Sequence, residues 1–163
     1  MDRIARGAER ALDGLAALAM ALASALLVVL IVIFGWLVYG RYVLNATPTW
    51  VEQTALLIVV WIAFLGAAVG VRRRTHLAVD FVRRALPRRP RAALELFATL
   101  AMLAFGAVMA WQGYVMFERT ARREIPLLEI SEGWRAVPVS LSGAMIVLFC
   151  LDDLLRPWRG EAD

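Results

Sequence analysis

Lysine is absent from this 163-residue chain, and all 18 of its basic residues are arginine. It has one cysteine, Cys150, and one histidine, His76. A lone cysteine excludes an intrachain disulfide, and a lone histidine leaves no imidazole pair to ligate a haem between helices. No cluster has metal-ligand spacing, no nucleophile stands beside a base, and there is no phosphate-binding loop. The long apolar runs contain no formal charge. Proton relays, ion pumps and pores for charged substrates usually need an ionisable group at depth. These absences argue against an enzyme and against any cofactor or metal site. They argue more weakly against transport by this chain alone.

What is present is apolar. Hydrophobic residues make up 61% of the chain and its mean hydropathy is +0.68, more than a soluble domain of this size can hide. The net charge of +4 would suggest nucleic acid in a soluble protein. Here the arginines flank apolar runs, which makes membrane phospholipid the partner to expect and nucleic acid not.

The chain is organised around residues 41–80. Between Glu52 and Arg72 lie 19 residues without a formal charge, roughly enough helix to cross a bilayer's hydrocarbon core. Thr49 and Glu52 have capping-box spacing after Pro48, and Arg72, Arg73 and Arg74 close the other end. Gly66 and Gly70 have the GxxxG spacing that lets another backbone approach. The first crossing is read over 14–40, which is 27 uncharged residues. Arginines before an apolar run, with Ala23, Ser24 and Ala25 resembling a cleavage site, raise the alternative of a signal peptide. The run continues unbroken through 26–37, so an uncleaved, tilted crossing is expected, with Ala17, Ala21 and Ala25 as its packing stripe.

After the arginines, Leu77, Phe81, Ala85, Val82 and Leu86 fall on one face and predict a short interfacial helix over about 75–86, ended by Pro87. Pro90 suits the first turn of a third crossing over 92–117, where Gly106 and Ala110 form another small-residue pair. The fourth, 136–155, has an uncharged stretch of only 16 residues. It spans only if Asp152 and Asp153 lie at headgroup level, with Trp134 and Trp158 as anchors. The reading is an all-α membrane protein in a single compact domain, 1–163, with four transmembrane helices and a short interfacial amphipathic helix between the second and third.

Arginine counts set its orientation. The N-terminus, the 72–91 segment and the C-terminal tail hold 13 of the arginines, and the other two loops hold five. The positive-inside rule places both termini and the 72–91 segment in the cytoplasm.

Several stretches carry a family pattern: Arg41-Tyr42-Val43-Leu44-Asn45; Trp50-Val51-Glu52; Trp61 with Phe64-Leu65-Gly66-Ala67; Arg72-Arg73; His76-Leu77; and Val79-Asp80-Phe81. Further on come Glu124-Ile125-Pro126, Trp134 and Ala136-Val137-Pro138-Val139. Together they resemble the small membrane subunit of tripartite ATP-independent periplasmic (TRAP) transporters, the DctQ family. Two departures are Gln53, where the family often has a second acid, and Leu77, more often isoleucine. The resemblance implies a large membrane subunit that moves substrate as an elevator, a periplasmic substrate-binding protein, and ion-gradient-driven uptake of an organic acid. This chain would be the static scaffold. The alternative is an independent small transporter or channel acting as a homo-oligomer.

Trp50, Glu52, Trp61, Gly66, Gly70, Arg72, Arg73, Arg74, His76 and Asp80 are the candidates for a partner or lipid interface. Each also has a local reading. Glu52 caps a helix, the tryptophans anchor at headgroups or pack, and the glycines form a notch within the subunit. His76 and Asp80, four apart, pair on one helix face, and the three arginines form a solvated belt. Arg119, Arg122, Arg123, Glu124, Glu129 and Glu132 are candidates for docking the binding protein, or loop charges without a specific role.

Overall fold

The computed structural model describes residues 2–46, 48–73, 88–125 and 130–155. The interfacial helix read over 75–86 lies outside them, as do Arg74, His76, Asp80 and Glu129. Four helices carry the fold: α1 Asp2–Tyr42, α2 Trp50–Arg72, α3 Arg88–Thr120 and α4 Val137–Leu155, with a short 3-10 helix, Glu132–Arg135, before α4. All four are long and apolar enough to cross a membrane. At 41 residues, α1 is about 60 Å long, twice the thickness of a hydrocarbon core. Pro90 lies in the first turn of α3, where its missing N–H costs nothing.

The turn from α1 into α2 is built on two residues. Asn45 takes a left-handed conformation, φ 48°, which lets the Ala46 N–H reach back to the Gly40 carbonyl at 3.0 Å. A side chain at Gly40 would meet that loop, with the Ala46 oxygen at 3.0 Å and Pro48 Cδ at 3.1 Å. The capping box does not form. Thr49 already has helical angles (φ −65°, ψ −23°) and its side chain makes no capping bond, because capping requires an extended residue at that position. The chain starts winding one residue early, and the Val51 N–H bonds the Pro48 carbonyl at 3.2 Å.

The helices pack side by side as a row. α3 packs on α4, α4 on α2 and α2 on α1, α1 touches α4 slightly, and among the described residues α1 and α3 share no substantial interface. The α3–α4 contact is the tightest. A Cβ on Gly143 would collide with the Ala110 backbone nitrogen and lie 2.7 Å from the Gly106 oxygen, and one on Gly113 would lie 2.5 Å from Ser140 N. Small residues let the backbones touch, as the Gly106–Ala110 pair suggested. Two hydroxyls bond across helices: Ser140 Oγ donates to the Ala110 carbonyl at 3.1 Å, and the buried Ser142 Oγ to the Phe64 carbonyl at 2.8 Å.

Leu65, Ala68 and Val69 of α2 meet Met145, Ile146, Phe149 and Cys150 of α4 in the core. From α1, Ala16, Ala19 and Ala23 join this core. Ala17, Ala21 and Ala25 are exposed, so the packing stripe is rotated from the one read in the sequence. A four-residue repeat of alanines runs through both faces of this helix, and only contact with α2 selects between them.

Candidate functional site

The strongest polar assembly stands where the ends of α2 and α4 meet the side of α1. Arg72 is in the last turn of α2, Asp13 lies in the first third of α1, and Asp152 is one turn from the end of α4. Arg72 Nε donates to Asp13 Oδ1 at 2.9 Å, Nη2 approaches the same oxygen at 2.8 Å, and Nη1 donates to Asp152 Oδ2 at 2.7 Å. The guanidinium carbon lies 5.7 Å from the centroid of the Phe149 ring. Side-chain exposure is 8% for Arg72, 2% for Asp152 and 66% for Asp13. One arginine thus neutralises a buried carboxylate and reaches out to a surface one. Its planar fork presents separate N–H groups to the two carboxylates in a fixed geometry.

This overturns two sequence expectations. Arg72 is not part of a solvated belt, and Asp152 is not open to its surroundings; protein covers both. A buried charge persists only when paired, and α4 reaches spanning length only by taking Asp152 inside. Arg73 is exposed, and its backbone N–H closes α2 on the Val69 carbonyl at 3.0 Å. Asp13, Ala16, Ala17, Arg72, Arg73 and Asp153 line an open cleft of about 290 Å³ beside the junction.

A second polar lock ties the opposite end of α2 to the 3-10 helix. Arg135 Nη2 donates to Gln53 Oε1 at 2.6 Å, and Nη1 lies 3.9 Å from Glu132 Oε1. The Trp61 and Trp134 rings are 6.5 Å apart between centroids, so Trp61 packs within the chain. The loop before α4 is folded back by paired backbones. The Ile125 N–H bonds the Ile130 carbonyl at 2.8 Å, the Glu132 N–H bonds the Arg123 carbonyl at 2.7 Å, and Ser131 Oγ donates to the Ala121 carbonyl at 2.8 Å. Glu132 is half-buried there, while Arg119, Arg122, Arg123 and Glu124 are exposed.

The other candidates are dispersed. Trp50 and Glu52 are exposed in the first turn of α2. Glu52 suits the positive end of the helix dipole there without forming a cap. Gly66 is exposed with nothing within 4 Å of a Cβ placed on it, so it is not a notch within the subunit. Gly70 is half-buried. Sequence reasoning missed Asp13, Gln53, Arg135 and Ser142 as partners. For Asp152 a signal did exist, in the 16-residue uncharged stretch too short to span without it. Among the described residues no group of three His, Cys, Asp or Glu could hold a metal.

The family model described as tripartite ATP-independent periplasmic transporters, DctQ component, matches residues 30–160. The chain belongs to the DctQ family. Similar proteins include the sialic acid TRAP transporter small permease protein SiaQ of Vibrio cholerae. It is 28% identical over 132 residues, which cover 80% of this chain and 76% of that protein. The sialic acid TRAP transporter permease protein SiaT of Haemophilus influenzae is 30% identical over 114 residues, 67% of this chain and 18% of that protein. The isethionate TRAP transporter permease protein DctMQ of Oleidesulfovibrio alaskensis is 25% identical over 122 residues, 72% of this chain and 19% of that protein. The chain therefore spans most of SiaQ but under a fifth of the two longer permease proteins. It is a small TRAP permease component and a multi-pass membrane protein, not an enzyme.

Proposed function

We propose that this DctQ chain is the fixed membrane scaffold for a large, elevator-type permease subunit. Its outer loops help dock a periplasmic substrate-binding protein, and the assembly takes up an organic acid on an ion gradient. The observation that carries this reading is the open row of helices whose only buried guanidinium–carboxylate cluster among the described residues, Arg72 with Asp152, is satisfied internally. A row with two uncovered edges offers surface to a larger membrane partner. A paired arginine at one end offers no path for substrate. SiaT and DctMQ, in which the small-permease sequence is under a fifth of a longer permease, support the large partner. Relatives named for sialic acid, isethionate and C4-dicarboxylate support an organic acid.

The charge distribution supports cytoplasmic termini, with the Arg72 junction at the inner surface and the Arg119–Arg123 region outside. Exposed Arg73 then faces inner-leaflet phosphates, with Arg74 next in sequence. Proteoliposomes test the scheme. Labelled organic acid should accumulate under a sodium gradient only when this chain, the large subunit and the binding protein are all present. Uptake by this chain alone would favour the independent transporter.

A further inference from the structure

The outer half of α3 carries a graded stripe that neither the core nor the two locks use. Gln112, Val115, Met116, Arg119 and Thr120 of α3, with Arg123 in the turn after it, line a cleft of about 310 Å³. Toward the middle of the helix the same face continues as Val108 and Phe105, 59% and 55% exposed. Gln112, Arg119 and Arg123 are exposed too. Among the described residues neither arginine has an ion-pair partner, and the Gln112 amide makes no hydrogen bond. Of the neighbouring acids, Glu118 accepts a hydrogen bond from the Tyr114 hydroxyl at 2.8 Å and Glu124 is exposed beyond the helix.

Gln112 precedes the end of α3 by eight residues, about 12 Å along the helix axis and within the apolar span. An amide at that depth without a partner is costly, and acyl chains offer it none. Side chains lean toward the N-terminus of their helix, so the long Arg119 side chain descends toward Gln112 and shortens the roughly 10 Å between them. The order along the stripe is cation, amide donor, then apolar track. Phosphodiester, ester carbonyl and acyl chain occur in that order in a glycerophospholipid.

We infer that this cleft is a binding site for one glycerophospholipid in the leaflet at the Thr120 end. Arg119 and Arg123 hold its phosphodiester, Gln112 donates to an ester carbonyl, and an acyl chain lies along Val108 and Phe105. The inference rests on the membrane-spanning fold and not on the scaffold role. Three arginines in the turn, Arg122 included, favour an anionic headgroup.

Native mass spectrometry of the full chain, titrated with dioleoyl-phosphatidylglycerol and with dioleoyl-phosphatidylethanolamine, tests it. One phosphatidylglycerol should stay bound, more tightly than phosphatidylethanolamine. The R119Q/R123Q double variant should bind it about tenfold or more weakly. Q112L should weaken it several-fold, R119K/R123K should largely restore it, and R10Q near the N-terminus should leave it unchanged. Every one of these substitutions falls on an exposed residue, so helix content and elution volume should match the parent. Equal retention by every variant would show ordinary annular lipid and overturn the site. So would a Q112L variant that keeps its lipid but loses a co-purifying membrane protein, since the stripe would then be a helix–helix contact.

Discussion

Arg72 and Asp152, 80 positions apart, meet at 2.7 Å with both side chains almost wholly buried. The pair sets the register between α2 and α4, and Phe149 beneath the guanidinium closes it from the core side. Removing one partner leaves a charge that the surrounding protein cannot solvate. Arg72→Gln should therefore destabilise the subunit by about 3–5 kcal/mol. Asp13→Asn, at a mostly exposed carboxylate, should cost only about 0–1 kcal/mol. Thermal unfolding in mild detergent measures both. Equal effects of the two substitutions would contradict the buried geometry.

Asp152→Asn in the Arg72→Gln background should recover part of the loss, because neither residue then leaves an unpaired charge on the other. A double-mutant cycle reads the coupling. Strict additivity would show that the two side chains act independently.

The α3–α4 seam has no room for a side chain at Gly143. Gly143→Leu should force the helices apart and cost about 1–3 kcal/mol or more. Gly66→Leu points into open space and should leave the isolated subunit's melting temperature nearly unchanged. If the α2 face at Gly66 meets the large subunit, the same substitution should weaken the complex. The two measurements separate folding from assembly.

Much of this was legible in the sequence. Apolar runs bounded by charges predicted all four helices, since a bilayer leaves the backbone little alternative. Gly106 and Ala110 announced a close contact that the structure places against Gly143. What failed depended on choices made only in three dimensions. The alanines of α1 repeat on two faces, and α2 picks Ala16, Ala19 and Ala23. Thr49 fits a capping box by spacing, but a turn begun at Pro48 denies it the extended backbone a cap needs. Arg72 reads as one of three similar arginines, and only the arrival of Asp152 from the far end of the chain distinguishes it. The lock between Gln53 and Arg135 joins residues 82 positions apart, a pairing no local pattern encodes.

Gln53→Leu should leave the Arg135 fork short of an acceptor and destabilise the outer end by about 1–3 kcal/mol. Hydrogen exchange should then rise first in the 3-10 helix Glu132–Arg135 rather than in the α2–α4 core. Uniform exchange across the molecule would argue against a local lock.

Orientation can be read directly. In a Cys150→Ser background, a cysteine at position 122 should react with a membrane-impermeant maleimide on intact spheroplasts. A cysteine at position 73 should react only after lysis. The reverse pattern would invert the proposed topology and move the Arg72 junction to the outside.

The role proposed for this small permease component is that of scaffold to a larger permease. The most direct measurement is a mild-detergent pull-down of the tagged chain from its native membranes, with companions identified and quantified by mass spectrometry. A large multi-helix membrane subunit should be recovered at roughly one copy per chain. Recovery of the chain alone, or only with copies of itself, would contradict that role.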